Sequence, residues 1–476
     1  MERNKIKEVE TNFLISESKK NPELFERETF IDSPDFLEKI GIFFGRPKGY
    51  PKNFPVGYLK LWPQDFIVEE KSMYGELETV DSADLFAEKK IFSEKDPTIY
   101  ATLVKCGLPT FEATKDLARF LEIDPKMIRS AGIKDTDAIT SQLISIRGAD
   151  IEKIKNVSSP YYFLKNIYSG KGVVEVGSLA GNKFTILIRT NADFDEEQFS
   201  QNLEEIKKQG FFNFFYLQRF GSPRFINWFW GLQILKGEYK NAVSSFLCSD
   251  GQREISYFKN IRAEIKKNLG NWDKIAEIIK LFPIVLQNEM RVVKYLQKNP
   301  EDFIGALKQI PEQIQLWIFA YASLLFNRKI SEYTESGAPM PERLPLILSK
   351  DKNDWLPYYD FLKEDKISSM PLESLMPFSD IQWRKRQIKT REKADIHKVA
   401  FTPEGVILSF SLPKGCYATT FLSHFFQLAT GMPPKDISEN IVDLKEILGE
   451  GSIKDLTEIF KEITFSKSED IFGKQE

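Results

Sequence analysis

Histidine and cysteine are scarce in this chain: His397 and His424, and Cys106, Cys248 and Cys416, are all that 476 residues contain. Two histidines so placed cannot supply a Ser-His-Asp triad, a histidine-rich zinc site or an HExxH protease motif, which need them at fixed spacings. Three well-separated cysteines exclude CxxC zinc knuckles and a disulfide framework. Long apolar runs are missing as well. The longest, Leu316–Phe326, is too short to cross a bilayer and is broken by Tyr321 and Ser323. The opening MERNKIKEVE has no apolar core of a secretion signal, so a cytoplasmic protein is expected. Chemistry here must rest on Asp, Glu, Lys, Arg, Tyr or Ser.

What is present fits a globular protein of two or three domains: 42% hydrophobic and 28% charged residues. The net charge of -3 gives no whole-chain pull on nucleic acid, but clefts act through local charge. Between Ile381 and Lys398, seven basic side chains (Arg384, Lys385, Arg386, Lys389, Arg391, Lys393, Lys398) face only Glu392 and Asp395, a local +5.

Residues 1–54 read as a polar extension with short helical stretches, ending in the Gly/Pro-rich GRPKGYPKNFPVG. Strand patterns follow at GYLKLW and DFIVE, and again at Phe184–Ile188 and Gly405–Leu412. FEATKDLARFLE, 111–122, has helical spacing, with Thr110 as its expected N-cap. A loop between that helix and a β-branched run to Ile146 carries Asp135. From about 240 to 396 amphipathic helices dominate, including Pro311–Lys329, and this stretch is expected as a domain inserted into the first. Past 436, two short amphipathic helices are expected to pack on the body: one on Ile441, Leu444, Ile447 and Leu448, the other on Ile453, Leu456, Ile459, Phe460 and Ile463.

Three places could carry chemistry. A loop carboxylate such as Asp135 can be a nucleophile or base if a cation keeps it ionised. In GFFNFFYLQRFG, 210–221, six aromatics accompany Asn213, Gln218 and Arg219; such a run can stack and hydrogen-bond bases, or form buried core. In SFSLPKGCYATT, 409–420, a strand enters a Pro-Lys-Gly turn and Tyr417 follows, where it can close a pocket or fill a core.

In order and wording these segments resemble the TruD family of tRNA pseudouridine synthases, from Gly57 to about Leu428. The carriers are Lys60 with PQDFIVEE (63–70), Lys105 with Thr110, AGIKD (131–135) with AITSQ (138–142), and GNKF (181–184) with Arg189. NFF (213–215) with QRFG (218–221), AYASLLFN (320–327) and LPKGCYAT (412–419) complete the set. The chain departs from the family pattern at Thr136, Tyr216, Ala322, Cys416 and Ser423-His424.

The resemblance implies a mixed α/β (α+β) fold: a catalytic domain with a mixed sheet, 55–239 and 397–435, and an inserted TRUD-type domain, 240–396. Flanking these are the extension 1–54 and a C-terminal helical extension, 436–476. It implies Asp135 as catalytic aspartate and Lys60 as its cation. Phe66, Asn213 and Tyr417 would contact the flipped nucleotide, with Phe215 and Arg219 as weaker candidates. Arg384, Lys385 and Arg386 would contact the RNA backbone. The substrate would be uridine 13 of a folded tRNA. No metal or cofactor is needed, and a monomer is expected. Whether Asp135 attacks sugar or base stays open. So do two other readings: a catalytically silent RNA-binding protein or chaperone on the same scaffold, and a scaffold protein whose charged insert binds another protein.

Overall fold

The structure, a computed structural model, describes residues 2–26, 28–43, 54–83, 98–347, 351–367, 373–379, 381–382 and 385–464. The chain divides into two units. One, the sheet unit, comprises residues 29–31, 52–211 and 392–476; the other, largely helical, comprises 1–28, 32–51 and 212–391. The helical unit thus begins earlier than the composition change near 240. The N-terminal extension is shared between the two, and the C-terminal stretch belongs with the sheet.

The sheet has twelve strands among the described residues. They are β1 (Thr29–Ile31), β2 (Val56–Tyr58), β3 (Phe66–Ser72), β4 (Leu77–Glu78), β5 (Thr98–Cys106) and β6 (Ile128–Ser130). The others are β7 (Ile139–Arg147), β8 (Tyr162–Gly170), β9 (Leu179–Arg189), β10 (Asp395–Thr402), β11 (Gly405–Pro413) and β12 (Gln427–Gly431). The path runs β1-β12-β2-β9-β3-β7-β5-β8, with β11 beside β9, β10 beside β11, β4 beside β3 and β6 beside β7. β12–β2 and β3–β7 are parallel while the other pairs are antiparallel, so the sheet is mixed, as expected.

Alternation along the strands gives the sheet two faces. Ile67, Ile139, Leu187 and Ile407 point to the back, with Val104 and Cys106. The C-terminal segment covers them: Leu444, Leu448, Ile453, Leu456, Phe460 and Ile463 complete that core. The expected packing is therefore real, but the helices are single-turn pieces, Leu444–Ile447, Lys454–Ile459 and Lys461–Thr464. Ile441, Ile447 and Ile459 consequently miss the buried stripe and stay exposed. On the front face Phe66 meets Phe184 edge-on and Phe184 stacks on Phe410. The helix Glu196–Gln209 covers this face, with Phe199 against Phe401, Phe425 and Phe426. Gly181 fits because β11 passes so close that a Cβ there would lie 2.1 Å from the Leu412 carbonyl oxygen.

The helical unit is organised on the 26-residue helix Pro311–Ser336, which buries Trp317, Ile318 and residues 320–326 of the apolar run while Leu316 stays exposed. No helix among the described residues is long and apolar enough to cross a membrane. The N-terminal extension contributes the short helices expected, Pro22–Phe25 and Pro34–Glu38, and before them a longer one of 19 residues, Glu2–Lys20. Its buried Glu10 accepts hydrogen bonds from Ile284 and Val285 N–H at 2.6 and 2.9 Å.

Candidate active site

Asp135 lies between β6 and β7, not directly after the helix as the sequence suggested; the three-residue β6 intervenes. The loop is fixed at nearly every residue. The Ala131 carbonyl accepts from Gly177 N–H at 2.7 Å, and the Gly132 carbonyl from Gln142 Nε2 at 3.2 Å. Lys134 N–H donates to Thr110 Oγ1 at 3.0 Å. Thr110 is therefore not the helix N-cap: the helix Thr110–Phe120 starts after Pro109 without a side-chain cap, and the hydroxyl braces the Asp135 loop instead. The Lys134 side chain turns inward to Glu70 Oε2 at 2.6 Å and Asn182 Oδ1 at 2.9 Å.

With Lys134 committed inward, Asp135 faces outward and meets Lys60, Nζ to Oδ1, at 2.8 Å. Lys60 has φ of +60°, a left-handed conformation uncommon for a residue with a Cβ. Its surroundings over-determine that conformation. Leu59 N–H is held by Ala429, and beyond the bend Asp65 is fixed by two hydrogen bonds from buried Arg189, both 2.8 Å. The bend carries the ammonium over the Phe66 ring, 4.3 Å from its centre. Phe66 is buried, an aromatic floor under the ion pair.

A second cation lies beneath. Lys105 is fully buried near the end of β5, and its Nζ donates to the Asp135 backbone carbonyl at 2.6 Å. Burial pulls the Lys105 ammonium down to about 8, against the opposing pull of Asp135. For Asp135 itself, burial pushes the carboxyl up, but Lys60 outweighs it, aided by Lys105 and Lys134, and holds it below the usual carboxylate range. The arrangement keeps one carboxylate ionised while leaving it 41% exposed.

The sequence pattern alone assigns Lys105 no role. The available signal was a lysine inside the apolar strand run TLVKC, where a charge needs a partner. Glu70, Gln142 and Asn182 also emerge as supports of the loop.

The structure brings Lys60, Phe66 and Asp135 together. Tyr417 is partly exposed in the turn after β11 in the same unit. That turn is tied to the Asp135 loop through intermediates: Lys414 N–H and Nζ donate to the Ala180 and Gly177 carbonyls. Asn213, Phe215 and Arg219 belong to the helical unit. Asn213 is buried, and its amide donates to the Lys389 carbonyl at 3.1 Å. Phe215 packs edge-on against Phe326, with Arg219 over its ring. Tyr216 has φ of -96°, so the absent glycine costs no backbone strain there, and its hydroxyl donates to buried Asp32 at 2.6 Å. Arg384 lies outside the described residues. Arg386 is exposed, and Lys385 is exposed but paired with Asp351 at 3.0 Å. Lys398 donates to the Leu448 carbonyl, so the basic segment is partly engaged within the chain.

A family model for tRNA pseudouridine synthase D (TruD) matches residues 55–353. The chain belongs to the TruD family. Lys60, Phe66, Lys105, Asp135, Asn213, Phe215 and Arg219 fall inside the TruD match; Tyr417 and the basic segment follow it. A tRNA pseudouridine synthase D protein of Methanosarcina mazei is 30% identical over 252 residues, 52% of this chain and 57% of that protein. The chain therefore aligns with little more than half of that relative's length. The tRNA pseudouridine synthase D of Aquifex aeolicus is 27% identical over 71% of this chain and 94% of its own. A crystal structure of the Methanosarcina mazei TruD protein shares the fold, with a TM-score of 0.62 and 23% identity across 82% of this chain and 97% of that one.

Proposed function

We propose that the chain is a tRNA pseudouridine synthase that converts uridine 13 in the D arm, acting as a cytoplasmic monomer. The observation that carries this reading is the Asp135 carboxylate, held ionised by Lys60 over Phe66, in a TruD family chain. Uridine and pseudouridine are isomers. The N1–C1′ bond breaks, a C5–C1′ bond forms, and a proton leaves C5 while N1 gains one. Atoms and oxidation state balance, so no cofactor or co-substrate enters.

The target nucleotide must first leave its stack. Asp135 then supplies the carboxylate, whether toward the ribose or the base. Lys60 keeps it ionised and orients it, and Lys105 fixes its backbone from below. Phe66 walls the pocket and Tyr417 closes it. Asn213, its amide N–H engaged by Lys389, offers an acceptor oxygen that complements the N3–H of uracil. Phe215 and Arg219 shape the loop around Asn213. Arg384, Lys385 and Arg386 contact phosphates. The test is to map pseudouridines in tRNA incubated with purified protein and with Asp135→Asn. New pseudouridine at position 13 only with the unaltered protein is the expected result; none with either overturns the reading.

A further inference from the structure

The Asp135 loop presents an aliphatic side chain that its own fold does not use. Ile133 is 85% exposed, although Ala131, Gly132 and Lys134 around it are tied by the bonds described above. Exposure alternates through the stretch: Ile133 out, Lys134 in, Asp135 out again. Ile133 and Asp135 are thus the two side chains that solvent reaches on either side of buried Lys134. The adjoining loop does likewise: Val176 is 90% exposed, immediately before the Gly177 that bonds to Ala131. One exposed aliphatic residue is ordinary. Two β-branched ones on mutually bonded loops, beside a carboxylate that must reach a stacked base, call for a use. A β-branched side chain has few rotamers, so on a pinned backbone Ile133 is a stiff apolar knob.

Resting on the synthase reading, we infer that Ile133 is a wedge that enters the RNA stack where the target uridine leaves it. Apolar side chains hold base steps apart in this way, and the cost they offset is unstacking. The knob lies two residues from the carboxylate, so filling the gap and delivering the nucleotide to Asp135 become one movement of the RNA against a fixed loop. Ile133 is thus a positioning residue: it acts on the RNA stack and not on the reacting atoms.

The test compares Ile133→Ser and Ile133→Leu with the unaltered protein in single-turnover pseudouridine formation. One substrate is folded tRNA. The other is the same tRNA with an abasic nucleotide beside the target, which removes the stack to be opened. Ile133→Ser should slow the first by roughly 10- to 100-fold and stay within about twofold on the second. Ile133→Leu, still apolar, should stay near the unaltered rate on both. Equal slowing of Ile133→Ser on both RNAs would make Ile133 a part of loop geometry, and no slowing on either would leave it without a role; each overturns the wedge alone. No pseudouridine from the unaltered protein in either RNA overturns the synthase reading, and the wedge with it.

Discussion

Three side chains set the pH behaviour of the site, and each makes a separable prediction. Asp135→Asn should remove pseudouridine formation by several orders of magnitude while leaving folding and most tRNA affinity intact, measured by single-turnover kinetics and filter binding. Asp135 is held below the usual carboxylate range, so the unaltered protein should keep its rate well into acid. Lys60→Met removes the main opposing cation. It should move the acidic limb of the pH-rate profile upward and lower the plateau. An unmoved limb would assign the ionisation of Asp135 to Lys105. Burial pulls the Lys105 ammonium down to about 8, so the rate should fall as pH rises through that value and the charge beneath the Asp135 backbone is lost. Lys105→Arg, charged throughout, should keep most of the rate and lose that alkaline step; Lys105→Met should be slow at every pH. Asp135 and Lys60 were legible in sequence because they sit in family motifs. Lys105 sits in one too, with Thr110, but its role was not legible, because no spacing rule links residue 105 to residue 135; only the antiparallel pairing of β5 with β7 brings them together.

At the level of elements, β3, β7, β9 and β11 were legible from their density of β-branched and apolar residues, as in ITSQLISIR and FTILI, while β5, β8 and β10, though eight or nine residues long, were not assigned. β6 and β1 were not: three residues carry no period, and β1 finds its partner near the other end of the chain. The C-terminal helices were half legible. Their apolar residues were recognised, but Gly449 and Gly451 break the run into single turns, so one helical stripe could not predict which residues are buried. These pieces also deliver a charge to the back of the sheet. Lys445 pairs with buried Glu69 at 2.7 Å and with Asp81 at 3.0 Å. Burial pulls the Lys445 ammonium down, yet Glu69 and Asp81 outweigh it and hold it above its ordinary 10.5. The contribution of the pair is therefore complete below about 10.5 and is lost only as pH rises beyond the raised value. Lys445→Met leaves Glu69 buried and unpaired and should destabilise the protein by about 3–5 kcal/mol, uniformly between pH 6 and 9 in chemical denaturation. Phe460→Ala, at a fully buried ring stacked on Phe163, should cost a similar ~3–5 kcal/mol through the cavity it leaves.

For the molecule as a whole, binding of a polyanion by a chain of net charge -3 must work through local patches, which is where salt enters. Replacing Arg384, Lys385 and Arg386 together by Gln should weaken tRNA binding and flatten the dependence of log K on log salt. Lys385 already neutralises Asp351, so it should contribute the least of the three. An unchanged slope would place the segment away from the RNA. The order of the strands bears on how the protein comes into being on the ribosome. β1 lies against β12, and the Thr29 hydroxyl bonds a carbonyl 403 positions later. At about 5–20 residues per second, the first strand waits on the order of 20–80 s for its partner to be synthesised. The back of the sheet stays bare until the residues around Phe460 emerge. A nascent chain thus carries its Asp135 loop long before the sheet is complete, and a message truncated near its end should yield an apolar, protease-sensitive fragment.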